Sequence, residues 1–182
     1  MKWILVSCII ALIIILPTYL YSQFTLKNVE KRIEREHSVK HMTVDSLHAA
    51  LSENDSANFV LFDVREKDEY DVSHLPNAVQ LDPGITPDEF INTHSDNLDG
   101  KHAVFYCSVG KRSAILIEKL DAAAREAGAT ELSNLKGSIF RWYNSGFPVY
   151  NASGETSQVH PYDKKWGVLL NKRSESDSST NR

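Results

Sequence analysis

The hydrophobic pattern divides the chain into unlike stretches. Near the amino end, Trp3 to Tyr21 reads WILVSCIIALIIILPTYLY and carries no charge. At 1.5 Å per residue this run spans roughly 28 Å, close to the hydrocarbon thickness of a bilayer. Trp3, Tyr19 and Tyr21 lie near its ends, where aromatic rings favour the membrane interface. Pro17 falls in the last turn, where it is tolerated. The pattern predicts an uncleaved single-pass membrane anchor over residues 1–21. A cleaved signal peptide is the rival, but its best cleavage site, Leu20-Tyr21-Ser22, puts a large residue where a small one is needed. Leu5-Val6-Ser7-Cys8 has the look of a lipoprotein box without the hydrophobic run that should precede it. Lys27, Lys31, Arg32 and Arg35 outnumber Lys2 and favour a cytoplasmic carboxyl-terminal side. A cationic start running straight into apolar residues is also how export signals begin, so the side stays open.

Residues 22–41 form a charged connector. Leu26, Val29 and Ile33 keep helical spacing among seven charged neighbours. This predicts a solvated helix that lifts the following domain off the membrane. His37 and His41 are four apart but lack a third ligand, so a metal site is not expected there. At the other end, 172–182 reads KRSESDSSTNR with no apolar residue and cannot repay the entropy of ordering. A folded domain is expected over 42–150, with an extension over 151–171 packed on it.

Within that domain short apolar runs alternate with helical patterns. Phe59 to Phe62, Ala78 to Leu81, Ala103 to Tyr106 and Thr130 to Leu132 read as strands, the first and third as buried parallel ones. Val44 to Leu51 follows the N-cap residue Thr43, and Pro87 to Thr93 follows Thr86 with proline at the first helical position. Ser113 to Ala127 stops at Gly128, and Ser138 to Ser145 stops at Gly146-Phe147-Pro148. The alternation predicts an α/β domain with a mainly parallel sheet flanked by helices.

Composition narrows the function. With 20 Lys+Arg against 24 Asp+Glu, the net charge of −4 argues against nucleic acid as a partner. Two cysteines, Cys8 and Cys107, exclude a disulfide scaffold or a multi-cysteine zinc site. No cofactor and no metal are expected.

Parallel sheets place their sites beyond the carboxyl ends of the strands. Cys107 ends the run AVFY there and is followed by Ser108-Val109-Gly110-Lys111-Arg112, then a long helix. A thiol in that position faces backbone N–H groups and the positive end of a helix dipole, both of which favour the reactive thiolate. Gly110 lets the backbone curl inward, and Lys111 and Arg112 add positive charge. A buried inert cysteine is the competing reading.

The segment Cys107-Ser108-Val109-Gly110-Lys111-Arg112-Ser113 resembles the C-x-x-G-x-R-S active-site loop of the rhodanese family. Phe62-Asp63-Val64-Arg65-Glu66 with Glu69-Tyr70 and Ser73-His74-Leu75-Pro76-Asn77-Ala78 is similar to that family's first signature. Leu135-Lys136-Gly137-Ser138-Ile139-Phe140-Arg141-Trp142, closed by Gly146-Phe147-Pro148-Val149, is similar to its second. Lys136-Gly137 departs from the two glycines many members carry, and no harm is expected from it. The resemblance covers about Val44 to Tyr150.

It implies a sulfurtransferase of the thiosulfate type. The Cys107 thiolate would take the outer sulfur of a small anionic donor, and the persulfide would pass it to cyanide or to a small-molecule or protein thiol. The N–H groups of Ser108, Val109, Gly110, Lys111 and Arg112, with Ser113, would hold the anion, while Arg112 and Lys111 draw in the donor. Asp63 and Arg65 are expected to form a supporting ion pair, His74 to be a hydrogen-bonded structural residue, and Trp142 to be core. Related cysteine-loop phosphatases place five residues between cysteine and arginine; four here narrow the cradle against a tetrahedral oxyanion. The alternative from another class is a non-enzymatic binding or sensing module of the same fold at the membrane.

Overall fold

A computed structural model describes residues 24–53 and 56–172. The apolar run 1–21, Cys8 and all of the polar tail beyond Lys172 lie outside the described residues. Among the described residues, no helix is long and apolar enough to cross a membrane.

The sheet has five parallel strands. They are β1 (His41–Met42), β2 (Phe59–Asp63), β3 (Val79–Gln80), β4 (His102–Tyr106) and β5 (Glu131–Leu135), in the order β1-β5-β4-β2-β3. Side chains alternate across it with the period of two that a strand imposes. On β4, Val104 and Tyr106 join one hydrophobic cluster, while Ala103 and Phe105 join the other together with Cys107. Both faces are therefore buried, as the unbroken apolar runs of β2 and β4 require.

Among the described residues six α-helices cover the sheet: α1 (Leu26–Glu36), α2 (Val44–Ser52), α3 (Lys67–Val72), α4 (Pro87–Leu98), α5 (Lys111–Glu126) and α6 (Ser138–Asn144). Single 3-10 turns lie at Ser56–Asn58 and Gly167–Leu169, and β6 (Val149–Asn151) pairs with β7 (Gly154–Thr156) in an antiparallel ribbon. Local chemistry sets their ends. Thr43 Oγ1 accepts from the Ser46 N–H at 3.1 Å, and Thr86 with Glu89 forms a reciprocal capping box. Gly128 takes φ +94° just past α5, the left-handed position a glycine fills most easily. Helix α3 and strand β1 are too short to show a period, and the sequence pattern does not announce them.

The connector is helical, but it is not a solvated stalk. Leu26, Val29 and Ile33 are buried in the same cluster as Ile139 and Phe140. Burying such side chains contributes up to roughly 1.5–3 kcal/mol each, enough to dock a three-turn helix. Two ion pairs fix its rotation: Arg141 Nε donates to Glu30 Oε1 at 2.7 Å, and Lys136 Nζ lies 2.6 Å from Glu34 Oε1. Lys136, the departure from paired glycines, thus contacts α1. Gly137 remains necessary, because a Cβ there would collide with the Glu30 carboxylate and with Arg141 Cβ.

Candidate active site

Strand β4 delivers Cys107 to the carboxyl edge of the sheet, where the chain turns through Ser108, Val109 and Gly110 into α5. Gly110 adopts φ +107°, and the space a Cβ would need is taken by Asn134 Nδ2 at 3.2 Å. This turn directs the Gly110 N–H at Cys107 Sγ, at 3.2 Å. The outward carbonyls are taken up by the start of α6: Ile139 N–H donates to the Cys107 oxygen at 3.2 Å and Phe140 N–H to the Ser108 oxygen at 3.1 Å. With those oxygens held away, the loop presents donors to the sulfur.

Cys107 is 2% exposed, yet it lines a cavity of about 150 Å3. Burial pushes its thiol up. The charge of Arg112, the N–H groups of Ser113 and Gly110 and the Ser113 hydroxyl outweigh it and hold the thiol below its ordinary value. The shift is toward the thiolate, which is the nucleophilic form.

Five residues of the cavity wall, Cys107, Ser108, Val109, Lys111 and Arg112, were expected from the loop. Arg112 is engaged as well as close. Its Nη1 and Nη2 donate to Glu69 at 2.7 and 2.9 Å, and Nη2 also to Ser108 Oγ at 3.1 Å. Ser108 Oγ in turn donates to Glu69 at 3.0 Å. Burial raises the Glu69 carboxyl, but its bonds to Arg112, to the Glu66 N–H and to Ser108 bring it below the usual carboxylate range. The same pairing keeps Arg112 charged against its own burial. Ser113 Oγ donates to Asn134 Oδ1 at 2.7 Å, and Asn134 Nδ2 donates to the Gly110 oxygen at 2.9 Å. Asn134 therefore braces both sides of the turn.

Asp63 and Arg65 pair away from the cavity wall and are fully buried, so their work is structural. His74 stacks on Tyr70 with centroids 4.0 Å apart, and Trp142 is core, its indole N–H on the Pro148 oxygen at 2.8 Å. His37 faces Glu118 at 3.2 Å, whereas His41 lies near Asn134.

Four residues around the loop and the cavity are not marked as site residues by the sequence. Glu69 lies inside the first signature, with nothing in its spacing to tie it to Arg112. Asn134, a polar residue at the carboxyl end of a strand, did give a signal. Tyr162 and Trp166 complete the cavity from the carboxyl-terminal extension and gave none.

Comparison with known families matches residues 43–145 to the Rhodanese-like domain. This chain is a member of the rhodanese-like domain family. Among curated relatives it is 28% identical over 116 residues to the adenylyltransferase and sulfurtransferase UBA4 of Debaryomyces hansenii, covering 60% of this chain and 25% of that protein. It is 31% identical over 145 residues to a tRNA uridine(34) hydroxylase of Staphylococcus epidermidis, covering 75% of this chain and 41% of the relative. The chain thus spans well under half the length of either. Among solved structures, a Bacillus halodurans protein superposes with a TM-score of 0.55 at 17% identity, over 72% of this chain and 90% of its own. The thiosulfate sulfurtransferase of Pseudomonas aeruginosa does so with 0.51 at 15% identity, over 77% of this chain and 25% of its own. These two likenesses are of fold. The rhodanese-like match ends at residue 145, so Tyr162 and Trp166 lie outside the matched residues.

Proposed function

We propose that this protein is a sulfurtransferase that carries sulfane sulfur on Cys107, with thiosulfate or a similar compound as donor. The observation that carries the reading is the Gly110 N–H on Cys107 Sγ at 3.2 Å, in a loop whose charges and dipoles lower the thiol. The thiolate forms a bond to the outer sulfur of the donor, the donor's sulfur–sulfur bond breaks, and sulfite leaves with the electron pair. The negative charge then rests on the terminal persulfide sulfur, where the turn's N–H groups face it. A thiolate or cyanide attacks that sulfur and restores the Cys107 thiolate. Neither half needs a general base, an oxidant or a metal.

The run Trp3 to Tyr21 serves in this proposal as a single-pass anchor, with the catalytic domain held close to the bilayer. The support is the uncharged apolar run itself and the residue Phe24 shortly after it, whose ring lies 5.4 Å from that of Trp166 in the cavity wall. The site therefore sits beside the end of the chain that leads to the apolar run. Protease protection in sealed vesicles would identify the side.

Incubation with thiosulfate followed by intact-mass measurement tests the chemistry. One added sulfur atom on the protein, removed by cyanide and absent from Cys107→Ser, is expected. An unaltered mass, or the same adduct on Cys107→Ser, would falsify the proposal.

A further inference from the structure

The cavity over Cys107 has two unlike walls. The loop wall is polar but largely self-neutralised: the guanidinium of Arg112 is spent on Glu69 through two hydrogen bonds, and the carboxylate brings its own negative charge beside the thiol. Lys111 is exposed, and a lone exposed cation attracts an anion only weakly in water. A doubly charged donor such as thiosulfate therefore meets a guanidinium already paired to a carboxylate, and the anion-facing groups left on this wall are chiefly the turn's N–H groups around the sulfur.

The other wall is aromatic. Tyr162 and Trp166 come from the extension, and both are fixed in place. The Tyr162 N–H donates to His160 Nδ1 at 3.1 Å, and its ring covers Arg112 with the guanidinium carbon 5.0 Å from the centroid. The Trp166 N–H donates to Asp163 Oδ1 at 2.8 Å, and its ring rests against Phe24. The extension is tied down on either side of these rings, by Tyr143 Oη on the Ser157 oxygen at 2.6 Å and by Asn144 Nδ2 on the Leu169 oxygen at 2.7 Å. A space of roughly 150 Å3 is of the size that holds a benzene ring in an apolar site. Ile115, Tyr162 and Val168 are the exposed large hydrophobic side chains among the described residues, and all three lie on the segments that build this cavity.

We propose that Tyr162 and Trp166 form an aromatic slot above Cys107 that selects organic sulfane donors bearing a flat apolar group, such as aryl thiosulfonates, over inorganic thiosulfate. The inference rests on the sulfurtransferase reading and deepens it. In the selected reaction the Cys107 thiolate bonds to the outer sulfur of the thiosulfonate, and that sulfur's bond to the sulfonyl group breaks. The arenesulfinate departs with the electron pair as a single anion, and its ring is what the slot recognises. No proton, oxidant or metal is consumed, and charge is conserved at two negatives on each side.

The test compares benzenethiosulfonate, methanethiosulfonate and thiosulfate on the full chain, with cyanide as acceptor. The methyl compound has the same leaving chemistry without the ring, and each kcat/KM is divided by that donor's uncatalysed rate with cyanide. The expected result is a preference of about tenfold or more for the benzene compound over the methyl one, the scale on which a well-formed apolar pocket discriminates. Tyr162→Ala reduces that preference to about twofold or less, whereas Tyr162→Phe keeps it, because the ring and not the hydroxyl makes the slot. Half of the Tyr162 surface is already exposed (50%), so its truncation leaves the core intact. A ratio near one in the unaltered chain, or a preference that survives Tyr162→Ala, overturns the slot while leaving the sulfurtransferase in place. If none of the three donors puts sulfur on Cys107, both readings fall.

Discussion

Two arginines in this domain each grip a carboxylate with two nitrogens, and the contrast between them separates what holds the fold from what prepares the site. Arg65 donates to Asp63 through Nε at 2.8 Å and Nη2 at 2.6 Å, and through Nη2 to the Ser73 oxygen at 2.5 Å. Both side chains are fully buried (0% exposed). The pair joins the end of β2 to the exit of α3. Arg112 grips Glu69 with similar geometry, but 26% of its side chain is exposed, and it links two helices across the mouth of the cysteine loop. Its charge also reaches the Cys107 sulfur. Equal chemistry therefore does unequal work, because burial decides how much each charge depends on its partner.

The largest effect is expected at the buried pair. Arg65→Met strands the Asp63 carboxylate in the core, a situation that costs about 3–5 kcal/mol, whereas replacing both residues with apolar ones recovers much of the loss. Urea denaturation midpoints measure it. Arg112→Met should cost less, about 1–3 kcal/mol, since water reaches the site and can solvate Glu69. If the two substitutions destabilise equally, the contrast between the pairs is broken.

The next effect is on reactivity and separates them in the other direction. The Cys107 thiol of the folded chain lies below its ordinary value, so alkylation by iodoacetamide rises with pH and levels off earlier than for free cysteine. By the same linkage, the stability this thiolate contributes is present above the unfolded value and is lost as pH falls through the lower folded one. Removing the Arg112 charge moves the alkylation profile to higher pH. Glu69→Gln leaves that charge unopposed and moves the profile to lower pH. The substitution at Arg65 shifts the denaturation midpoint and not the profile, since Arg65 is not among the groups that set the thiol.

These differences mark how far the residues could be read in order. The alternation of apolar runs and capped helices predicts β2, β4, α2, α5 and α6 with ends close to those observed, because each is set by local chemistry: Thr43, Gly128, Gly146. The cysteine loop is equally legible, since strand, turn and helix are contiguous. What the pattern does not carry is partnership at a distance. Glu69 and Arg112 are 43 positions apart, and their pairing exists only once α3 and α5 are placed. Charge density around Leu26, Val29 and Ile33 points to a solvated helix, whereas burial of that narrow apolar stripe decides otherwise. Tyr162 and Trp166 belong to an irregular segment with no period at all.

The smallest effect concerns that docked helix and extends the same contrast to a third ion pair. Lys136 and Glu34 are each about one third exposed (34% and 32%), so their 2.6 Å contact is worth little, roughly 0.2–1 kcal/mol after screening. Lys136→Gly restores the paired glycines of the family signature and removes the contact without touching the apolar stripe. Ile33→Ala does the reverse: it keeps both ion pairs and cuts a fully packed side chain, at a cost of about 2–5 kcal/mol. Hydrogen exchange at the amides of α1 reads both. The expected order is strong deprotection in Ile33→Ala and a slight change in Lys136→Gly that disappears at high salt. The opposite order would mean that the lysine holds the helix and that burial only follows. In that case the distinction drawn between Arg65 and Arg112, where depth in the protein sets the value of a charge pair, would not extend to the surface.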